Sequence, residues 1–489
     1  PSLLLHSTKH ETHQVRRPMK ELLKLAWRNL WRNRKRTIIT ASSIFFAIFF
    51  AIGMRSFQLG TYDHMIRQII ESFSGYLQVQ QVDYADDPII DYAVNINPAL
   101  MEALRADPNV AVAVPRITSF ALASSGELSK GVLVTGIDPT EEAKLSNPAH
   151  RLVRYRLDKE DLEPLIAQGL LTKAVAEDIT PLLPMVFTNK ESLGLDLGFS
   201  ESDSTLLNRL CQAVAVEGRH LTNDDTGALV SSKLADYLKL NVGDSLVLMG
   251  QGFEGSSAAG IFPIRGIVSM SAPDLDNKLI YLSLEAASTF YNLEDRVTSI
   301  AINLHNTKAM KATQARLAGL LTDPNLTVKN WETLNPSLKQ QIQGDDKSGQ
   351  VFLFVLYVII FFGIFGTVQM MLSERQREFG MMVSIGMKRG MLAGVLTIEM
   401  LFLGLIGTLS GMLAALPFIL LGHYHPLRLT GDLARMFMNY GFDPLMPMAL
   451  LGDYFFNQAI IIFLMVLLAS YLPVRSLLKL DPIKALHGH

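Results

Sequence analysis

Residues 351–372 read VFLFVLYVIIFFGIFGTVQMML, a run without a single charge. About 20 apolar residues at a 1.5 Å rise cross the hydrocarbon core of a bilayer. The run is therefore a membrane-spanning helix, and the chain is a membrane protein. Working outward, three further stretches have the same character. Thr37 to Met54 lies between Arg36 and Arg55. The stretch from about Thr397 to Leu421 is interrupted only by Glu399, and a span is assigned to 391–421. Tyr454 to Leu472 is the most polar, because it holds Asn457 and Gln458. Ala51-Ile52-Gly53 imitates a signal-cleavage site, but the arm before it is too long and its apolar core too extended. The first stretch reads as a permanent anchor.

Composition agrees. Of 489 residues, 49% are hydrophobic and 18% charged, where soluble domains carry about 25% charged residues. The net charge of −2 gives no reason to expect a nucleic-acid partner. Cys211 is the lone cysteine, which excludes an intrachain disulfide and a cysteine-based zinc site. The eleven histidines are scattered, and no metal is expected.

Lysine and arginine near the span ends set orientation. Lys20, Lys24, Arg28, Arg32, Arg34, Lys35 and Arg36 precede the first span. Arg375, Arg377, Lys388 and Arg389 separate the second from the third, and Arg475, Lys479 and Lys484 follow the fourth. The 422–453 loop holds only Arg428 and Arg435, against Asp432, Asp443 and Asp453. Both termini and the 373–390 loop are expected in the cytoplasm, and 55–350 outside. The resulting map is a tail over 1–19, a cytoplasmic amphipathic helix over 20–36, spans over 37–54, 351–372, 391–421 and 454–472, an extracytoplasmic domain over 55–350, a cytoplasmic loop over 373–390, an outer loop over 422–453 and a cytoplasmic tail over 473–489. Met19-Lys20 is an alternative start. In the amphipathic helix, Leu22, Leu23, Ala26, Trp27 and Leu30 line one face and Lys24, Arg28 and Arg32 another, the pattern of a helix lying among headgroups.

The 55–350 segment mixes strand-like alternation (Tyr76 to Gln80, Ile300 to Leu304) with helical periodicity (Pro98 to Arg105, Thr307 to Leu321). Each helix runs into the same turn, Asp107-Pro108-Asn109 and Asp323-Pro324-Asn325. That recurrence suggests two related α/β halves, separated by an insertion placed at about 150–270. Within it, Gly243-Asp244 reads as a turn between helix and strand.

Catalytic motifs are missing. Gly344-Asp345-Asp346-Lys347-Ser348 contains Lys-Ser but lacks the glycine spacing of a phosphate-binding loop, and no GxSxG, HExxH or kinase-like set occurs. The informative segment is Ser373 to Gly390, SERQREFGMMVSIGMKRG. Glu374, Arg375, Arg377 and Glu378 are charged. Phe379, Met381, Met382, Val383, Ile385 and Met387 are apolar and need a partner to bury them. Gly380 and Gly386 permit bends.

The run from Glu374 to Lys388 resembles the signature of the FtsX-like, MacB-type ABC transporter permeases. Other segments agree: Ala26-Trp27-Arg28-Asn29-Leu30 with Arg36-Thr37, Gly136-Ile137-Asp138-Pro139, Leu234-Ala235 with Val242-Gly243-Asp244, the positions of Glu399, Gly407 and Gly411, and the ending Asp481-Pro482-Ile483-Lys484-Ala485-Leu486. The resemblance covers nearly the whole chain after residue 18. It implies four transmembrane helices, one plus three, with a large α/β MacB-like periplasmic domain between the first and second. It implies a bacterial inner-membrane location, two cytoplasmic ABC ATPase subunits, and a second permease subunit, identical or homologous. No cofactor is expected on this chain, ATP and magnesium being held by the partner ATPase, so the chain is not expected to be an enzyme. MacB carries a fused ATPase and this chain does not, which makes it more similar to the lipoprotein-releasing LolC/LolE branch. Trp331, before the second span, leans the same way. The stretch 150–215 looks longer than the family's domain.

The function this implies is extraction of lipoproteins or another lipidic cargo, driven by ATP hydrolysis on the partner. The alternatives are MacB-type mechanotransmission for peptide or small-molecule efflux, and an FtsX-like signalling scaffold. Membrane lipid and a periplasmic carrier or adaptor are further partners. The residues expected to couple to the ATPase are Glu374, Arg375, Arg377, Glu378, Gly380, Met381, Met382, Ser384, Ile385, Gly386 and Met387. Gly407, Gly411 and Ala415 form a small-xxx-small packing stripe. Glu399 is placed with them and read as a cytoplasmic-edge residue contacting Arg377, Lys388 or Arg389, since the third span could start as late as Met400. Phe46 with Phe50, and Phe361 with Phe365, form two aromatic stripes expected to line a cargo path between the first and second spans of opposing subunits.

Overall fold

The computed structural model describes residues 21–32, 34–95, 97–199, 203–270, 272–429, 433 and 445–478. The 1–19 tail, Lys20, Asp432, Arg435, Asp443, Lys479, Lys484 and the Asp481 to Leu486 ending lie outside them. The helices used below are α1 (residues 21–32), α2 (Arg34–Ile69), α3 (Pro98–Arg105), α4 (Met310–Ala318), α5 (Pro336–Glu374), α6 (Gln376–Ser384), α7 (Arg389–Tyr424) and α8 (Asp453–Leu478).

The chain divides into two compact units. One holds the described residues within 1–64, 340–429 and 445–489, and the other those within 65–339 and 430–444. Among the described residues, α2, α5, α7 and α8 are long and apolar enough to cross a membrane. One precedes and three follow the α/β unit in sequence, the one-plus-three arrangement read above. Each helix runs past its apolar stretch. Arg55 does not stop α2, and α5 begins at Pro336, well before Val351. A charge ends an apolar run, but it does not interrupt backbone hydrogen bonding, so the helix continues with a changed surface.

In the membrane unit the buried positions recur at helical spacing: Ile44, Ile48 and Ile52 on α2, Ile364 and Val368 on α5, Leu396, Met400 and Leu403 on α7, and Ile462 and Val466 on α8. The small residues of α7 set its approach to α2. A Cβ added at Gly407 would stand 2.6 Å from Ile44 Cβ, and one at Gly411 2.8 Å from Ile48 Cβ and from the Phe45 carbonyl oxygen. Ala415 is fully buried on the same stripe. Polar groups also join helices here: Tyr357 on α5 donates a hydrogen bond to Gln458 on α8.

The second unit is built on a nine-stranded sheet: β1 (Leu77–Gln81), β2 (Val110–Ser125), β3 (Leu128–Ile137), β4 (Ala228–Ser231), β5 (Ser245–Gln251), β6 (Ser257–Val268), β7 (Leu279–Ser283), β8 (Ser299–Leu304) and β9 (Leu326–Asn330). The strand order is β9-β1-β8-β2-β3-β7-β4-β6-β5, with β2 also pairing β5. The first four are antiparallel neighbours. With α3 between β1 and β2, and α4 between β8 and β9, they make a split β-α-β-β-α-β motif. The repeated turn has one geometry. Asn109 N–H donates to Asp107 Oδ1 at 2.9 Å, and Asn325 N–H to Asp323 Oδ1 at 2.9 Å. In each case the carboxylate folds the chain back so that a helix feeds a strand.

The long strand β2 belongs to two lobes. Val110 to Arg116 pair with β8, and Leu122 to Ser124 pair with β5. The second pairing closes β2-β3-β7-β4-β6-β5 into a barrel. This corrects the insertion expected over 150–270, because β4, β5 and β6 belong to the main sheet. The added piece is the strand pair Tyr155–Leu157 and Met185–Phe187 with the helices Leu162–Ala167, Lys173–Ile179, Lys190–Asp196 and Ser204–Ala213. It has its own core, including Leu165, Leu193, Leu210 and Cys211. The strands 228–268 carry no local signal of which sheet they join, since that is decided by long-range pairing. The turn at Gly243 stands where expected, with φ +96°.

Candidate coupling site

The segment that connects α5 to α7 folds as α6, bounded by two local devices. Arg375 breaks the helix between α5 and α6, with φ −97° and ψ 6°. At the other end Gly386 has φ +104°, a conformation that glycine adopts without a Cβ penalty. The Gly386 N–H donates to the Val383 carbonyl and the Met387 N–H to the Met382 carbonyl, each at 3.0 Å. This pair of bonds is a Schellman stop, and Met382 and Met387 pack against the same core beneath it.

The helix divides the expected coupling residues into two sets. Gly380 is buried beside Phe379, which was not among them, and Met382 and Met387 are partly buried inward. Glu374, Arg377, Met381, Ser384, Ile385 and Gly386 are exposed. Ile385 is 88% exposed, more than any other large apolar side chain of this segment, and Met381 stands one turn away on the same face. Burying that pair needs a surface from outside the chain.

Arg375 and Glu378 take a different part. Glu399 lies inside α7 and is buried. Its Oε2 accepts a hydrogen bond from Arg375 Nη1 at 2.9 Å, and its Oε1 accepts one from Asn29 Nδ2 of α1 at 2.8 Å. Arg375 Nε donates to Glu378 Oε2 at 3.4 Å, and the same oxygen pairs with Arg32 of α1. Burial pushes the Glu378 carboxyl up, but the Arg32 and Arg375 guanidiniums outweigh it and hold it below the ordinary carboxylate range. A cavity of about 190 Å³ adjoins these groups, lined also by Thr37, Thr40, Met371 and Leu403.

Two expectations are corrected here. α7 starts at Arg389 rather than as late as Met400, and Glu399 lies within it beside Arg375 at the α5–α6 break. Its cationic partner is Arg375, not Arg377, Lys388 or Arg389. The reason is geometric: Arg375 sits at the α5–α6 break and its side chain reaches back over the helix ends. Asn29 was missed as a partner. Its signal was a polar side chain three residues after Ala26, on the apolar side of α1. The phenylalanine stripes form stacked pairs, Phe46 with Phe50 at 6.1 Å and Phe361 with Phe365 at 6.4 Å. Phe46 and Phe50 are exposed, whereas Phe361 and Phe365 pack partly on the helix core. Among the described residues no ring contact joins the two pairs. Also among the described residues, no three His, Cys, Asp or Glu side chains gather as metal ligands.

Residues 350–482, which contain α6, the site of Glu399 and the glycine stripe, match the FtsX-like permease C-terminal family. That C-terminal stretch is similar to the FtsX-like permeases. It is similar to the lipoprotein-releasing system transmembrane protein LolC of Neisseria meningitidis serogroup B, 22% identical over 196 residues, 39% of this chain and 46% of that protein. The LolC of Xylella fastidiosa is 21% identical over 190 residues, 38% of this chain and 46% of that protein. The chain thus spans about half the length of the curated relatives it matches. Two solved structures align with it at 12% identity. The extracellular domain of the noncanonic ABC-type transporter YknZ from Gram-positive bacteria covers 53% of this chain and 100% of its own, with TM-score 0.28. The periplasmic region of MacB from Actinobacillus actinomycetemcomitans covers 56% and 95%, with TM-score 0.29. The FtsX/MacB-type resemblance read from Glu374 to Lys388 stands, with LolC among the proteins this chain is similar to.

Proposed function

We propose that this permease is the non-catalytic membrane subunit of an ABC transporter in a bacterial inner membrane. In this reading two cytoplasmic ATPase subunits, which hold the ATP and magnesium, bind the exposed face of α6. A second permease subunit, identical or homologous, completes the membrane part. The α/β unit lies in the periplasm and moves in response to ATP hydrolysis. The cargo is a lipoprotein or another lipidic molecule drawn from the inner membrane, passed to a periplasmic carrier or adaptor.

The observation that carries the coupling part is the pairing of an exposed Met381–Ile385 face with an anchored inner face on one short helix. Phe379 and Met382 hold α6 to the membrane helices while its other side stays open. The likeness to LolC supports the lipidic cargo. The test is cysteine crosslinking from Ile385, in complex purified from native membranes, combined with Glu378→Lys. Crosslinks from Ile385 to an ATPase subunit, and a complex that hydrolyses ATP but no longer releases lipidated protein when Glu378 is reversed, are expected. Absence of the crosslink in native complex overturns the coupling assignment.

A further inference from the structure

Glu399 is the most buried carboxylate of the membrane unit's described residues, and it joins three separate elements. Through Asn29 it holds α1, through Arg375 it holds the α5–α6 break, and its own backbone is α7. A carboxylate within a membrane helix is costly unless paired, so the three elements are bound together by a group that none of them alone satisfies. A second bridge runs parallel to it. Glu378, in the first turn of α6, pairs with Arg32 on α1 and with Arg375. The Arg375 guanidinium also lies 5.4 Å from the Phe379 ring centre, so both its backbone and its side chain define how α6 leaves α5. Asn29 and Arg32, three residues apart, sit on one face of α1. The two bridges therefore grip α6 and α1 at two points and prevent rotation of one on the other.

We infer that Glu399 and Arg375, with Asn29, Arg32 and Glu378, act as positioning residues that lock α6 to α1 and α7, so that a displacement of α6 is carried by all three helices together. The inference rests on the reading of α6 as the coupling helix. Its consequence is that α1 is a moving part of the permease and not solely an anchor in the headgroups. The adjoining cavity of about 190 Å³ gives the polar side chains room to stay hydrated while the block shifts.

The experiment uses the full complex in lipid nanodiscs, with spin labels on Leu25 of α1 and Ile385 of α6, both exposed. Label distances are measured without nucleotide and after trapping with ATP and vanadate. In the native sequence the Leu25–Ile385 distribution is expected to stay narrow and unchanged between the two states. Glu399→Gln keeps the acceptor for Asn29 but removes the charge on which Arg375 is anchored. It is expected to broaden the distribution at least twofold while ATP hydrolysis continues. A narrow, native distribution in that variant overturns the lock. If Glu399→Gln does not assemble, Glu378→Gln, which weakens the exposed bridge to Arg32 and the longer contact to Arg375 while leaving Glu399 intact, carries the same test. A native complex whose Ile385 label is untouched by the ATPase, with the lock intact, would sink the coupling reading and leave the positioning inference standing.

Discussion

Arg55 on α2 and Asp346 on α5 meet through Nη1 and Oδ1 at 2.6 Å, beyond the apolar runs of both helices. The pair is supported from both sides. Arg55 also donates to Gln58, Gln58 donates to the Asp345 carbonyl oxygen at 3.1 Å, and Gln350 donates to Asp346 at 2.8 Å. The side chains are 18% and 30% exposed, so the pair is neither a screened surface contact nor a fully desolvated one. Asp346→Ala leaves the largely buried guanidinium without its carboxylate, holding only the Gln58 bond, at a cost of roughly 1–3 kcal/mol. The melting temperature of the purified permease in detergent is expected to fall accordingly. The exchanged pair, Arg55→Asp with Asp346→Arg, is expected to recover part of the loss. Equal melting of the single and exchanged variants would deny the pair a stabilising role.

The glycine stripe of α7 gives a sharper steric prediction. At Gly411 an added Cβ meets Ile48 Cβ and the Phe45 carbonyl oxygen, both at 2.8 Å. The second of these is backbone and cannot rotate away, so α7 and α2 must separate. Gly411→Leu is expected to abolish the folded permease, and Gly411→Ala to weaken it. Gly394 on the same helix has nothing within 4 Å of such a Cβ. Gly394→Ala is expected to be neutral or to stabilise by up to about 1 kcal/mol through helix propensity. Monodisperse yield after detergent extraction checks all three. Comparable yields for Gly411→Leu and Gly394→Ala would remove the packing role.

How far the sequence revealed this arrangement differs by feature. The spans were legible because hydrocarbon demands uniform apolarity, and the Asp-Pro-Asn turns because Asp and Asn act on their own backbone. Both are local properties. Glu399 was visible as an anomaly but its partners were not, because Asn29 and Arg375 reach it only after α1 and α6 have docked. The same holds for β4 to β6. Ala228 to Ser231 is buried on both faces, and three apolar positions and a serine do not say which strand will lie beside them. Gly407 and Gly411 stood out by spacing. That Ile44 and Ile48 would face them required the helix pair itself.

Asp276 gives the α/β unit a dependence on pH. Its Oδ1 accepts hydrogen bonds from the Met270 N–H at 3.0 Å and the Ser232 N–H at 3.2 Å. Burial nevertheless dominates and raises its pKa from 3.8 to about 6. A carboxyl whose folded value is raised contributes stability that is present below the unfolded value and lost as pH rises through the folded one. The window is therefore from about 4 to about 6, with the loss complete above it. The shift corresponds to roughly 3 kcal/mol at most. Hydrogen exchange of the Leu279–Ser283 strand is expected to quicken as pH rises across this window, after correction for intrinsic rates, and Asp276→Asn is expected to remove that dependence. An unchanged pH profile in the variant would assign the effect to another group.

The two phenylalanine pairs make a prediction about cargo. Phe46 and Phe50 project from α2 with more than half their surface exposed, while Phe361 and Phe365 lie partly against the helix core. Among the described residues no ring contact joins the pairs, and in the proposed two-subunit assembly a common lining would form where α2 of one subunit faces α5 of another. Apolar aromatic walls accept acyl chains without asking for hydrogen bonds. An exposed pair on α2 equally suits bulk lipid, so position alone does not separate the two uses. Photocrosslinking groups at positions 46 and 361, in native membranes, do separate them. A lipid-extracting transporter is expected to yield crosslinks to lipidated protein from both positions, and to lose them when ATP hydrolysis is allowed to complete transport. Crosslinks to phospholipid alone, unchanged by ATP, would sink the lipidic-cargo reading. They would leave α6 and its charge lock to serve a permease that moves a soluble substrate.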